Sequence, residues 1–428
     1  MKIYINIVIG FLLVNVALAQ QVQKSEYGSF LLKGGTVHTV SGGNMNADVL
    51  IEDGKISSVS SSITAPTGAK VIDISGKHVY PGMIDAGTTL GLVEISAVSL
   101  TRDNNEIGDV NPHVEALTAV NPSSVLIPVT RVSGVTTVVT KPSGGILPGT
   151  ASLISLVGYT PDQMYSGFKG LVMNFPSSGK RGRWDRRSDE DIKKDFDKSM
   201  KNISKIWEKA EAYSRMNATE EVADYNPEME AMKPVVNGER ALMLEVNAKK
   251  DIIAAIEWAK TKENIKVILT GVSEGYKVVE EIKESGFPVI TGPMLAVPGR
   301  AEAAYDASYT NPGVMQKAGI KVAIRSDETE NVRNLPFNAG FAAAYGMGIE
   351  EALKAVTIVP AEILGVADKY GSIEEGKMAS LFVSDGDPFE TKTQITELFI
   401  NGWMVPIESR HTLLYDEFLE RSPGLEKK

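Results

Sequence analysis

The sequence predicts an α/β protein in which a (β/α)₈ barrel carries a second, smaller β domain. Two observations predict this fold class. Short β-branched strands alternate with amphipathic helical stretches over about 280 residues, the usual extent of such a barrel. Strand-and-turn patterns without helices flank that region on both sides. The chain has 428 residues, which suits a large barrel with an accessory domain and is too long for one small domain.

The first 19 residues predict an export signal. Lys2 gives a positively charged start, an apolar run extends from Ile3 to Leu18, and Ala17-Leu18-Ala19 supplies the small residues of a cleavage site. The run is shorter than the ~20 residues that a membrane-spanning helix needs. We therefore predict a secreted or periplasmic protein that has no membrane span and begins after residue 19.

Segments 28–80 and 371–407 predict the β domain. Residues 48–56 are typical of a β-hairpin, because Asp53-Gly54 supplies the positive-φ turn that joins two short strands. Strand and turn patterns return after residue 371. Since the two segments lie on either side of the barrel region, we infer one β domain built from both chain ends.

The barrel is predicted over residues 81–370. Near-continuous apolar strands are typical of a parallel sheet with both faces covered by helices. The predicted strands are 135–139, 170–175, 241–246, 266–270, 288–291 and 321–324. Residues 188–239 are interpreted as an insertion, because apolar residues recur at three- and four-residue steps within a heavily charged run. That pattern predicts an amphipathic surface helix, which is a candidate lid.

Composition excludes several classes of function. With 44 Lys and Arg against 54 Asp and Glu, the net charge is −10 and no basic tract is present, which argues against nucleic acid or an anionic membrane as a partner. The absence of cysteine excludes disulfides, thiolate zinc sites and a cysteine nucleophile. Ser143 and Ser326 have no histidine near them in the sequence, so a Ser-His-Asp hydrolase finds no support.

Five stretches, spread over nearly the whole mature chain, lie at 76–85, 131–138, 323–327, 351–365 and 371–388, and the first reads Gly-Lys-His-Val-Tyr-Pro-Gly-Met-Ile-Asp. In this order they resemble the metal-dependent amidohydrolase superfamily in its imidazolonepropionase-like branch. The resemblance implies a distorted TIM barrel with a composite β-sandwich from both chain ends. It also implies hydrolysis of an amide or cyclic-amide C–N bond.

The chain departs from the family at the metal site. In working members the first barrel strand ends in D-x-H-x-H, and both histidines hold a divalent metal. The corresponding stretch here reads Asp-Ala-Gly-Thr-Thr, with Gly87 and Thr89 at the histidine positions. The family's histidines after the fifth and sixth strands are replaced by residues 245–247, Glu-Val-Asn, and 270–272, Thr-Gly-Val. The usual binuclear zinc is therefore expected to be absent.

Neither the histidines nor the lysine positions compensate. His38 and His78 fall in or next to the β domain, His113 in the long loop after the first barrel strand, and His411 in the C-terminal tail. Donors to one ion must lie about 2 Å from it, and these residues belong to different parts of the fold. The lysine that some members carry on the fourth strand has only Lys169, at the start of that strand, as a counterpart.

The predicted barrel mouth is rich in oxygen atoms and arginine instead. Active sites of such barrels lie at the carboxyl ends of the strands. The aspartate after the eighth strand is present as Asp327, our candidate catalytic residue. The candidate substrate-binding residues are Arg325, Arg333, Asn247, Glu245 and Glu106. No metal ligand is assigned.

Two interpretations of this set remain open. In one, Glu245 and Asp327 hold a hard ion such as Mg²⁺, Mn²⁺ or Ca²⁺, which polarises an amide carbonyl while Asp327 takes a proton from water. In the other, Arg325 pairs with Asp327 or Glu245, and the mouth is a locked ion-pair cluster without a metal. We favour the second interpretation, because the first requires several carboxylates to converge on one point.

The leading hypothesis is an exported, divergent and non-catalytic amidohydrolase-like protein that binds a small molecule or a partner. That partner is either a second copy of the chain or a related amidohydrolase with intact histidines. The alternative is an active hydrolase that uses an oxygen-liganded metal and Asp327 on a peptide-like or cyclic amide. A third option is anion binding at the glycine-rich segment 141–145 together with Arg325.

Overall fold

The computed structural model describes residues 24–180, 185–218, 224–297 and 303–421. The predicted export signal lies outside these residues. The strands are β1 (Glu26–Tyr27), β2 (Phe30–His38), β3 (Asn44–Glu52), β4 (Lys55–Ser60), β5 (Lys70–Asp73), β6 (His78–Pro81), β7 (Met83–Thr88), β8 (Val135–Thr140), β9 (Gly149–Ser155), β10 (Tyr165–Asn174), β11 (Ala241–Val246), β12 (Lys266–Gly271), β13 (Val289–Thr291), β14 (Val322–Ile324), β15 (Leu381–Ser384), β16 (Ile395–Ile400) and β17 (Trp403–Met404). The helices are α1 (Ala116–Ala119), α2 (Leu126–Arg131), α3 (Pro161–Met164), α4 (Asp189–Ala218), α5 (Pro227–Val236), α6 (Lys249–Lys260), α7 (Val279–Ser285), α8 (Ala307–Lys317), α9 (Leu335–Ala342), α10 (Ile349–Ala355), α11 (Ile358–Ile363) and α12 (Arg410–Arg421).

Strands from both chain ends form one sheet. Its nine strands follow the order β1-β17-β16-β15-β6-β2-β3-β4, with β5 beside β2. The predicted hairpin is β3 and β4, and Asp53 (φ 49°) and Gly54 (φ 78°) both adopt the left-handed conformation that a tight hairpin turn requires. Two antiparallel strand pairings join the two chain ends, β1 with β17 and β6 with β15, and in the second Tyr80 lies opposite Phe382.

The second sheet is the barrel. Its eight strands follow chain order from β7 to β14, and the sheet is nearly closed. After the last strand, the backbone N–H of Asp327 donates to the carbonyl of Gly87 at 3.0 Å, which links the two edges of the sheet. Every residue of β7 and β8 is buried, as expected for strands covered on both faces. The predicted α/β fold class with a TIM-type barrel is confirmed.

One strand departs from the parallel sheet that the sequence predicts. β9 runs antiparallel to both of its neighbours, β8 and β10. The reason is the length of the connections. Only residues 141–148 join β8 to β9, and only residues 156–164 join β9 to β10. A parallel crossover needs a dozen or more residues, so the chain can only double back.

The charged segment predicted as an insertion forms α4 and α5. Ser188 accepts the N–H of Asp191 at 3.1 Å, and acidic residues fill the first turn of α4, where they suit the positive end of the helix. The apolar stripe of α4 is buried, and Trp207 packs edge-to-face on Trp258 of α6 with ring centroids 5.3 Å apart. In the parts of the chain that the structure describes, no helix is long and apolar enough to cross a membrane.

Candidate functional site

Charged side chains converge where the barrel strands end. Glu245 is the second-last residue of β11, Lys141 directly follows β8, and Arg325 and Asp327 follow β14. Because the carboxyl ends of parallel barrel strands open at one face, these side chains are brought together there although up to 186 positions separate them in the chain.

Arg325 is the centre of this cluster. Its Nη1 and Nη2 atoms donate to the two carboxylate oxygens of Glu245, each at 2.7 Å. Nη2 also lies 3.2 Å from Oδ2 of Asp327. The Arg325 side chain is 2% exposed, against 17% for Glu245 and 33% for Asp327. The guanidinium is therefore held in the barrel, and Asp327 is the member most open to solvent.

Lys141 is the second cation of the cluster. Its Nζ lies 3.1 Å from Oδ1 of Asp327 and 3.8 Å from Oε2 of Glu245, so each carboxylate contacts both cations. Thr270 donates a further hydrogen bond of 3.0 Å to Glu245. We name Lys141, Glu245, Arg325 and Asp327 the ion-pair cluster. Two positive and two negative groups balance each other, which a mostly buried site requires.

The electrostatics of the cluster favour its ionised form. Burial alone would raise the pKa of Glu245, but the attraction of Arg325 and then of Lys141 outweighs burial and holds the pKa well below its ordinary value. Burial would likewise lower the pKa of Arg325, but Glu245 and Asp327 raise it above its ordinary value. Both groups therefore stay charged over the whole physiological range.

Asp85 lies beneath the cluster and is fully buried. It accepts N–H groups from Gly87 and Ser326 at 3.1 Å each. Burial dominates these hydrogen bonds and, with a smaller contribution from Asp327, raises the pKa of Asp85 to about 7.

This raised pKa predicts a pH-dependent stability. The favourable contribution of Asp85 is complete below its unfolded pKa of about 4 and is lost as the pH rises through 7. Between those pH values, the wild type should lose about 4 kcal/mol of unfolding free energy relative to the isosteric Asp85→Asn variant. Urea unfolding of both proteins at several pH values measures this. Parallel pH profiles would contradict a raised pKa at Asp85.

Three glycines line the space around the ion-pair cluster, at positions where a side chain does not fit. A Cβ atom at Gly87 would lie 2.8 Å from Cδ of Arg325. One at Gly271, whose φ is +85°, would lie 2.7 Å from Oε1 of Glu245. One at Gly292, whose φ is +137°, would overlap the carbonyl oxygen of Arg325. At these three positions the backbone makes room for the Arg325–Glu245 pair and leaves no space for a side chain of its own.

A cavity of about 1020 Å³ opens above Glu245, Arg325 and Asp327. Its wall combines amide and hydroxyl groups with apolar surface. The neutral polar lining residues include Asn174, Asn247, Ser273, Tyr276, Ser308 and Asn311, and the apolar ones include Ile146, Phe175, Val246, Met294 and Val297. Besides the residues of the cluster, the charged residues Asp109, Lys180, Asp251 and Glu274 also line the cavity. The volume is at the upper end of the range for small-molecule sites, and the mixed wall suits a ligand with both polar and apolar groups.

The structure brings some of the predicted site residues together and not others. Glu245, Arg325 and Asp327 form the ion-pair cluster, and Asn247 lines the cavity above it. Glu106 is exposed on the loop after β7 and does not line the cavity. Arg333 lies instead beside the C-terminal helix, with Nη1 3.4 Å from Nδ1 of His411.

The four histidines form one neighbouring pair, His38 with His78, and two separate residues, His113 and His411. His38 and His78 lie side by side in the β domain, with Nε2 and Nδ1 3.0 Å apart, and His113 is exposed. Within the described ranges, no group of three or more histidine, aspartate or glutamate side chains is arranged to hold a metal ion. Lys169, the counterpart of the family's strand lysine, pairs with Glu115 at 2.6 Å.

Sequence reasoning did not place Lys141 and Thr270 in the site. The rule that barrel active sites lie at the carboxyl ends of strands, which selected Glu245, also applies to both of them. Lys141 directly follows β8, and Thr270 lies near the end of β12. From the sequence, segment 141–145 is a candidate for anion binding together with Arg325. In the structure, the ammonium group of Lys141 and the guanidinium of Arg325 are both paired with carboxylates.

Comparison with known proteins agrees with this architecture. Residues 307–405 match the model of the Amidohydrolase family. The solved structure of an amidohydrolase from Thermotoga maritima superposes with a TM-score of 0.75 and 28% identity, over 88% of this chain and 99% of that one. The chain belongs to the amidohydrolase superfamily.

Two further relatives match over smaller shares of their own lengths. Amidohydrolase tasK of Hapsidospora irregularis is 21% identical over 83% of this chain, and the imidazolonepropionase of Thermoplasma volcanium is 31% identical over 30% of it. The matches span 39% and 32%, respectively, of the lengths of those relatives. The superfamily therefore indicates a hydrolase lineage for this chain. It does not by itself identify the chain's specific activity.

Proposed function

We propose that this chain is an amidohydrolase-superfamily protein that binds a small molecule at its barrel mouth and does not carry out metal-dependent hydrolysis. The bidentate Arg325–Glu245 pair carries the proposal. The glutamate that would be free to accept a metal is engaged by a buried guanidinium through both of its oxygens. Breaking such a pair leaves an uncompensated buried charge, which is strongly unfavourable.

The residues at the mouth do not fit the metal that the family implies. A dication bound by Glu245 and Asp327 would lie against the Arg325 and Lys141 cations, which already neutralise both carboxylates. Gly87 has no side chain to donate, and the hydroxyl of Thr89 is hydrogen-bonded to that of Thr329. No imidazole lies among these groups, and oxygen ligands without nearby cations are what a hard ion needs.

The cavity supports binding of a compact ligand with polar and apolar parts. Asp327, the most exposed member of the ion-pair cluster, lies at its floor and is an acceptor held in place by Lys141 and Arg325 before a ligand arrives. Asn247 and Ser273 at the rim and Phe175 on the wall add hydrogen-bonding and apolar surface. A peptide-like molecule or a cyclic amide has this combination of groups. With the export signal predicted from the sequence, we propose that this binding takes place outside the cytoplasm.

Purified protein tests the proposal directly. Elemental analysis after dialysis should find no stoichiometric zinc, manganese or magnesium, and a panel of dipeptides, N-acyl amino acids and cyclic amides should not be hydrolysed. The same panel, screened by thermal shift and calorimetry, should contain saturable binders. Asn174→Trp, which fills the cavity from its wall, should abolish that binding, whereas the same change at exposed Thr118 should not.

Two results would contradict the proposal. Stoichiometric tightly bound metal that is lost together with hydrolysis in Asp327→Ala would establish the alternative, a hydrolase with an oxygen-liganded metal. Absence of saturable binding by every compound of the panel would remove the support for a small-molecule site.

A further inference from the structure

A second pocket lies at the opposite end of the barrel. Arg131 ends α2 just before β8 begins, and Leu156 follows β9, which runs antiparallel to β8. Both residues therefore lie at the amino ends of the parallel strands, whereas the ion-pair cluster lies at their carboxyl ends. The pocket has a volume of about 120 Å³, several times the ~30 Å³ that one water molecule occupies. Its lining includes Ser123, Arg131, Leu156 and Gly158.

Arg131 is a partly buried arginine whose side chain has no acidic partner among the described residues. Its one hydrogen bond there runs from Nη1 to the carbonyl oxygen of Leu156 at 3.1 Å. Its Nε–H is buried and has no acceptor. Arg325 and Arg187, by contrast, each contact two carboxylates. A guanidinium carries five N–H donors, and leaving buried donors unpaired is unfavourable.

Glu94, which is hydrogen-bonded to the pocket-lining residue Ser124, does not pair with Arg131. The carboxylate of Glu94 accepts hydrogen bonds from Asn121 and Ser124, both at 3.0 Å. Ser123 lies at the exposed rim of the pocket and contributes to its lining. The pocket therefore offers a positive charge and hydrogen-bond donors, and its nearby carboxylate is directed to other groups.

We propose that the pocket at Arg131 binds a small oxyanion, either phosphate or a carboxylate. The fork of the guanidinium matches two oxygens of either group, and the pocket has room for one such anion. The proposal is independent of the barrel mouth and of its ligand. It also accounts for a charge that the fold otherwise leaves without a counterion.

The ionisation of Arg131 is consistent with this site. Burial, with no opposing charge, lowers the pKa of Arg131 to about 10. The group is still charged at neutral pH. An anion in the pocket would oppose the effect of burial, so the bound state restores the favourable environment that a buried cation lacks.

Titration of the full-length protein tests the proposal. Sodium phosphate and sodium acetate are titrated separately by calorimetry at constant ionic strength, with sodium chloride as the blank. One of the two oxyanions should bind saturably with one site per chain. Arg131→Gln should weaken that binding about tenfold or more, and Arg131→Lys should weaken it less. Arg102→Gln, which removes an exposed arginine outside the pocket, should leave it unchanged.

Ser123→Phe provides a second variant if Arg131→Gln does not fold, because it covers the pocket from the exposed rim and leaves the core intact. It should also abolish saturable binding. The proposal is overturned if neither phosphate nor acetate binds saturably to the wild type. It is also overturned if binding persists in Arg131→Gln or Ser123→Phe, or is lost equally in Arg102→Gln, since it then reflects surface charge.

Discussion

Replacing Glu245 with glutamine should destabilise the protein by about 3–5 kcal/mol. The change keeps the size of the side chain and removes its charge. Arg325, 2% exposed, then keeps Asp327, at 3.2 Å, as its one carboxylate partner among the described residues, and Lys141 loses one of its two carboxylates. The expected loss is large because a buried guanidinium without its partner is not compensated by water. Urea unfolding measures it.

Two further variants make this result specific. Glu26→Gln, in the exposed pair of Glu26 with Lys70, removes a carboxylate whose contact distance is also 2.7 Å, and should change stability by less than about 1 kcal/mol. Glu245→Leu combined with Arg325→Met should recover much of the loss, because apolar groups of similar volume replace both charges. Equal, small effects of Glu245→Gln and Glu26→Gln would contradict the buried pair.

Gly87→Ala should destabilise the protein by about 1–3 kcal/mol through overpacking. The new methyl group would lie 2.8 Å from Cδ of Arg325, in the middle of a side chain that both oxygens of Glu245 hold in place. The backbone at Gly87 is not in the left-handed region, so the effect is steric and not conformational. Unfolding in urea again gives the magnitude.

A double-mutant cycle attributes the effect to Arg325. In an Arg325→Ala background, Gly87→Ala should be close to neutral, which gives a coupling energy of about 1–3 kcal/mol. The matched control is Gly28→Ala, since a Cβ there meets nothing within 4 Å. A loss at Gly87 that is the same in both backgrounds would show that Arg325 is not the obstacle. A coupled result would mean that a side chain at position 87 and this arginine exclude each other.

The fold was largely predictable because its signals are local. The Asp53-Gly54 turn and the apolar runs of the parallel strands appear in short stretches of sequence. β9 was missed because residues 149–155, Gly-Thr-Ala-Ser-Leu-Ile-Ser, are mostly small or polar. All seven are buried nevertheless, and burial against neighbouring strands determines their conformation.

The candidate site was predictable where strands position it. Glu245, Arg325 and Asp327 lie at or just after strand ends, so the geometry of the barrel brings them together. Glu106 and Arg333 were inferred from loops, whose paths no periodic pattern specifies, and the structure places both away from the cavity. The sequence also did not show which carboxylate pairs with Arg325, because both Asp327 and Glu245 were candidates. The structure shows that Arg325 contacts both.

The β6–β15 pairing has a consequence for how a ribosome makes this protein. About 300 residues separate Pro81 from Leu381, its partner in the ladder. At 5–20 residues per second, the edge of β6 waits roughly 15–60 s after emerging before its neighbour is synthesised. An unpaired edge is a template for intermolecular pairing throughout that interval. Nascent chains stalled before β15 should therefore depend on chaperones that shield exposed strands.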